Sequence, residues 1–98
     1  MYAIVCSYVV PEEKTGQFLE LARRASAAYA RHGCVGTDLL RAAGGEWLEI
    51  NRFPSREEFM KVRPALDSDP EILALWKEFT ALLGTEQVNV KEYETVEM

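Results

Sequence analysis

Along Glu46–Phe53, the side chains Trp47, Glu49, Asn51 and Phe53 alternate with Glu46, Leu48, Ile50 and Arg52. In an extended strand successive side chains point to opposite faces, so the first set shares one side. Those types can do chemistry together. A carboxylate among apolar groups has a raised pKa and can act as a base. An Asn amide and a Tyr hydroxyl can donate to an oxyanion, and an indole can stack on a ring. Tyr8 and Cys6, two residues apart near the N-terminus, would join this set from a neighbouring strand. The candidate catalytic residues are therefore Glu49, Asn51 and Tyr8, and the candidate ligand-binding residues are Trp47, Cys6 and Phe53. Each also has a plainer role. Glu49 can pair with Arg52, Arg41 or an Arg of a partner chain, which is its expected state. Asn51 can bond locally, and Trp47 and Phe53 can fill the core of a dimer.

Other chemistry-bearing residues read more simply. Arg63, beside Pro64, is a pocket-rim anion anchor or a solvated helix residue, the latter being expected. Trp76 and Phe79 lie on an apolar helical stripe and are expected in the core. His32, the only His, stands near a helix C-terminus, where it favours the dipole. Cys6 and Cys34 fit no metal spacing, and no metal site is expected. They read as small apolar fillers, kept reduced in a cytosolic chain. There is no phosphate loop, Rossmann fingerprint or nucleophile elbow, and no cofactor is expected.

The elements that must hold these residues can be read from period and punctuation. Tyr2 to Val10 is rich in Val, Ile and Tyr, reads as a strand, and is ended by Pro11. Phe18, Leu21, Ala22, Ala25 and Tyr29 recur at the spacing of one helix face, with Gly33 as a left-handed stop. Cys34–Ala42 and Glu46–Phe53 flank Ala43-Gly44-Gly45 and read as a hairpin. Ser55 and Glu58 have the spacing of a capping box. The helix they start is broken at Asp67-Ser68-Asp69-Pro70, where a second one begins with Pro in its first turn. Ile72, Leu75, Trp76, Phe79, Leu82 and Leu83 lie on one face of that second helix, and Gly84 stops it. Gln87 to Val96 alternates as a last strand. The order βαββαβ predicts an α+β, ferredoxin-like domain over 1–98, a four-stranded antiparallel sheet with helices on one face and the first strand between the third and fourth.

Composition bounds the partners. The 98 residues carry a net charge of −5 and no Lys/Arg run, so neither nucleic acid nor an anionic membrane surface is expected as a partner. The opening MYAIVCSYVV has no basic flank before it and no small-residue cleavage site after it, and it is too short for a membrane helix. A cytoplasmic location is the expectation. The stretch reads instead as a strand covered on both faces, because a sheet with one wet face should alternate apolar and polar. The aromatic-bearing set, with Tyr8, Cys6, Trp47, Glu49 and Asn51, is placed on the face away from the helices. Alternation alone leaves open which face lines a pocket. An apolar patch of that size calls for a second sheet packed on it, hence a homodimer through sheet faces. The C-terminal segment KEYETVEM is expected to cross to the partner.

The segment EWLEINRFPSREEFMKVRPALDSDPEI, a strand ending in an aromatic residue followed by a Ser-capped helix broken at DSDP, resembles the dimeric α/β-barrel superfamily. That superfamily includes the antibiotic-biosynthesis-monooxygenase-like and NIPSNAP-like domains, and the resemblance runs from Tyr2 to about Val96. It implies homodimers with a ligand-sized pocket in each subunit. Members include cofactor-independent oxygenases of aromatic polyketides and haem-degrading enzymes. The latter use a His in the second helical segment, and Ser55–Leu83 has none. The expected function is binding of a small, largely apolar, aromatic molecule between sheet and helices, with cofactor-independent monooxygenation. The alternative is a non-catalytic dimeric interaction or assembly module with a side-chain-filled interior. An isomerase or cyclase with Glu49 as base is a third possibility.

Overall fold

The structure, a computed structural model, describes residues 1–84 and 88–98. Strand β1 (Tyr2–Val9) is followed by one turn of 3-10 helix (Glu12–Lys14) and helix α1 (Thr15–Ala30). Strands β2 (Gly36–Arg41) and β3 (Glu46–Phe53) form the hairpin, helices α2 (Arg56–Ser68) and α3 (Pro70–Leu83) follow, and β4 (Asn89–Glu94) closes the sheet. The strand order is β2-β3-β1-β4, with every neighbour antiparallel, as the ferredoxin-like reading expects. β2 begins at Gly36 rather than Cys34, although the Val35 amide still donates to the Arg52 carbonyl at 2.8 Å. Of the last predicted strand, Gln87 lies outside the described residues.

Local chemistry sets the helix ends. The Ser55 hydroxyl accepts from the Glu58 amide at 3.1 Å, which starts α2. Asp69 Oδ1 accepts from the amides of Glu71 and Ile72, and Pro70 follows directly, so the chain must end one helix and begin another. Gly84 closes α3 at φ +71°, a left-handed conformation that disfavours a Cβ.

The face assignment is reversed from the sequence expectation. Tyr2, Ile4, Cys6 and Tyr8 of β1, and Trp47, Glu49, Asn51 and Phe53 of β3, lie beneath the helices; their partners in register are Tyr2–Phe53, Ile4–Asn51, Cys6–Glu49 and Tyr8–Trp47. The outer face carries the smaller set, Ala3, Val5, Ser7 and Val9, with Leu40, Leu48, Ile50 and Tyr93 from the other strands. The physical reason is volume: α1, α2 and α3 supply Phe18, Phe59 and Leu75 to be packed, and the large aromatics of the sheet can be buried only against them.

The helix-covered layer contains two packed centres. Tyr8, Val10, Phe18, Ala22, Trp47 and Leu83 form one, with Phe18 fully buried. Tyr2, Cys34, Phe53, Phe59 and Leu66 form the other. Along β3 the order is Trp47 in the first centre, Glu49 and Asn51 between, and Phe53 in the second. Along β1 it is Tyr8, then Cys6 and Ile4, then Tyr2. A seam therefore crosses the middle of the two central strands.

Candidate functional site

The seam carries a chain of hydrogen bonds. Tyr8 donates its hydroxyl to Glu49 Oε1 at 3.2 Å, and Asn51 Nδ2 donates to Glu49 Oε2 at 2.8 Å. Thr37, opposite Asn51 in the β2–β3 register, donates its hydroxyl to Asn51 Oδ1 at 2.7 Å. The Cys34 thiol lies 3.9 Å from the Thr37 oxygen and donates to the Gly36 carbonyl at 3.3 Å. Asn51 is 5 % exposed and its amide is bonded at both ends.

Burial pushes the Glu49 carboxyl above its ordinary value, and the bonds from Asn51 and Tyr8 pull partly back. The same desolvation, with the Glu49 charge added, raises the Tyr8 hydroxyl and pushes the Cys6 thiol to about 12. Both groups stay protonated at neutral pH, so Tyr8 remains a donor and Cys6 is not a nucleophile there. The expected ion pair of Glu49 does not form. Arg52 pairs with Asp38 on the outer face, and the Arg41 guanidinium sits 5.4 Å from the centroid of the Trp47 ring. The reason is parity: Arg52 lies one residue from Asn51 and so points away from it.

Two cavities open onto the seam. One, of about 40 Å³, touches Glu49, Tyr8 and Cys6 beneath α1 and α3. The other, of about 290 Å³, runs past Asn51 and Phe53 to Phe59, Arg63 and Glu92. Cys6, Tyr29, Ile72 and Trp76 line both. Of the residues singled out from sequence, Tyr8, Glu49 and Cys6 meet at the smaller cavity, and Asn51, Phe53 and Cys6 at the larger. Trp47 lines neither, being packed with its ring centroid 4.9 Å from that of Phe18. Trp76, read as core, is instead 41 % exposed at the cavity wall. Its place on the α3 stripe is as predicted, but there it borders both cavities and belongs to neither packed centre. Tyr29 and Thr37 were missed as site residues; the helical period flagged Tyr29 only as core, and nothing in sequence aligns Thr37 with Asn51. Arg63 stands at the rim of the larger cavity between Glu92 at 3.7 Å and Asp67 at 3.9 Å.

The His32 side chain reaches beyond its own helix end. Its Nε2 meets Asp69 Oδ2 at 2.7 Å, which ties the end of α1 to the first residue of α3's cap and holds the Asp69 carboxyl below its ordinary range. Among the described residues no three His, Cys, Asp or Glu side chains come together as a metal-binding group, and no helix is long and apolar enough to cross a membrane.

The fold is one seen before. An antibiotic biosynthesis monooxygenase superposes with a TM-score of 0.72 at 16% identity, covering 99% of this chain and 100% of that one. SnoaB from Streptomyces nogalater, a cofactor-independent oxygenase, gives 0.73 at 19% identity over 99% of this chain and 94% of its own. A NIPSNAP domain protein from Burkholderia xenovorans gives 0.72 at 13% identity over 98% and 95%. No family model matches the chain, and no curated protein matches it in sequence. The chain thus has the α+β fold of the antibiotic-biosynthesis-monooxygenase and NIPSNAP domains, the likeness its β3–α2–α3 segment suggested, and at these identities the likeness is one of fold.

Proposed function

We propose that this chain binds a small, largely apolar aromatic molecule between its sheet and helices and oxygenates it without a cofactor. The observation that carries the reading is Glu49: a carboxyl in an apolar seam, held by Tyr8 and Asn51, and facing a cavity rather than a cation. With its pKa raised by burial, it is a stronger base than an ordinary carboxylate. It takes a proton from an activated ring CH₂ of an anthrone-type substrate, and the resulting carbanion passes an electron to O₂ and then combines with it. Glu49 returns its proton to the peroxide anion formed at that carbon, then takes the second hydrogen from the carbon as the O–O bond breaks and C=O forms, and passes it to the departing hydroxide, so CH₂ and O₂ become C=O and H₂O. Asn51 lines the larger cavity, and the amide proton it does not give to Glu49 is available to the developing oxyanion.

The functional unit is a homodimer through the outer sheet faces. Val9, Leu40 and Tyr93 are about half exposed or more there, at 62%, 52% and 49%, beside Val5, Leu48 and Ile50, and a patch of this kind favours a second copy. Of the segment expected to cross, Lys91–Glu94 pair instead with β1 of their own chain and the Thr95 amide donates to the Met1 carbonyl, so only residues 96–98 are left to reach that copy. A cytoplasmic setting suits two free cysteines.

A non-catalytic dimeric module is favoured by one observation: the 40 Å³ beside Glu49 holds only a water or so. Titration of the protein with anthrones, quinones and flavins, followed by Trp76 fluorescence against a Trp76→Phe control, separates the two. Quenching that saturates, with O₂ uptake for an anthrone, supports the oxygenase; emission that ignores the whole panel sinks it.

A further inference from the structure

The Asn51 amide is held at both ends, by Glu49 on one side and Thr37 on the other. The two ends of an amide are nearly the same shape, and only partners tell them apart. Turned over, Asn51 would set its oxygen 2.8 Å from Glu49 Oε2, two acceptors face to face. In the orientation present, its Oδ1 is buried and needs a donor, and the Thr37 hydroxyl at 2.7 Å is the donor it has. We propose that Thr37 is a positioning residue: by donating to Asn51 Oδ1 it holds the amide with Nδ2 toward Glu49, and so fixes the carboxyl at the cavity wall.

Thr37 touches neither cavity, so it acts through Asn51 alone. Strand pairing places it: Thr37 lies directly opposite Asn51 in the β2–β3 register. Cys34, 3.9 Å away, has already committed its thiol to the Gly36 carbonyl and does not compete for the Asn51 oxygen. The proposal deepens the function argued above and rests on it only for its catalytic consequence, since the hydrogen-bond geometry stands independently.

The titratable groups facing Glu49 are Cys6 and Tyr8 from β1 and Tyr29 from α1, all held neutral by burial through the range in which a carboxyl titrates. The titration of the Glu49 carboxyl carbon, followed by NMR with ¹³C-labelled Glu, therefore reports on its hydrogen bonds. Thr37→Val keeps the shape and removes the donor. We expect the ratio of ionised to protonated Glu49 at fixed pH to fall roughly tenfold, the factor one charge-assisted bond carries, and Thr37→Ser to restore it. Thr37→Ala serves the same test without a branched side chain on the strand. Variants lacking the hydroxyl that titrate like wild type overturn the proposal, even if anthrones bind. A shifted titration with no ligand bound upholds Thr37 and overturns only the functional reading.

Discussion

Glu49→Gln should make the protein more stable at neutral pH while abolishing the proposed oxygenation. Burial raises the Glu49 carboxyl above its ordinary value of 4.5. A raised acid in the folded state means that ionisation costs folding free energy. That cost is absent below about pH 4.5, grows as pH rises from there to the raised folded value, and is constant above it. Gln carries no charge to desolvate, yet its carbonyl can accept from Asn51 and its amide can donate to the Tyr8 oxygen, so both contacts survive. The gain should be about 1–2 kcal/mol at pH 7, which for a chain of this size is roughly 4–8 °C in Tm per kcal/mol. Urea melts at fixed protein concentration, near pH 7 and again near pH 4, give both numbers and guard against a change in association. The two curves should converge at the acid end. A Gln variant no more stable than wild type at pH 7 would show that Tyr8 and Asn51 outweigh desolvation, and the case for Glu49 as a poised base would go with it.

Other perturbations test neighbouring parts of the structure. Phe18→Ala removes a fully buried ring that meets Tyr8 at 5.5 Å and Trp47 at 4.9 Å between centroids, and should cost about 3–5 kcal/mol in urea melts; a loss under 1 kcal/mol would mean that centre is loosely packed. Asp69→Asn keeps the α3 cap but removes the carboxylate that meets His32. Because the Asp69 carboxyl is lowered, its stabilisation is present above its ordinary 3.8 and is lost as pH falls through the lower folded value. The wild-type advantage should therefore be full above about pH 4 and decline below it in acid melts, and an advantage that already declines well above pH 4 would place its origin elsewhere. Ile50→Lys on the outer face should shift light scattering from dimer to monomer at micromolar concentration without unfolding; a wild-type protein that is already monomeric there refutes the dimer.

The sequence made the strand order and the helix break legible because each had a local cause. Ser55, Asp69, Pro70 and Gly84 do in the structure what their chemistry predicts, since caps and breakers act within a few residues. The residues sharing a face were legible too: Trp47, Glu49 and Asn51 do lie together. Which face they occupy was not, because alternation has no sign. The larger volume of the Tyr2–Tyr8 and Trp47–Phe53 set, against Ala3, Val5 and Ser7, was the available clue. Pairings across strands were beyond reach. Register decides that Arg52 meets Asp38, that Thr37 meets Asn51 and that Glu49 has no Arg, and register depends on the whole hairpin. His32 likewise finds Asp69 thirty-seven positions away along the chain, a contact set by helix packing.

The break at Asp69-Pro70 explains why there is a seam to hold a carboxyl at all. An unbroken helix from 56 to 83 would run about 42 Å, while an eight-residue strand spans about 26 Å. Such a helix cannot lie along the sheet, so the chain must divide it. The division gives α2 the Phe53–Phe59 centre and α3 the Phe18–Trp47 centre. Between those centres Ile72 and Trp76 of α3 line both cavities, and the strand residues there are Cys6, Glu49 and Asn51. A polar side chain elsewhere on β3's inner face would fall into one of the packed centres. Only at the middle can Glu49 be desolvated enough to be raised and still face open space. Filling that space should thus act on both properties together: Ala25→Leu, from the α1 wall of the smaller cavity, should reduce ligand quenching of Trp76 and raise the Glu49 titration further. If the titration moves and binding does not, ligand and carboxyl do not share the seam.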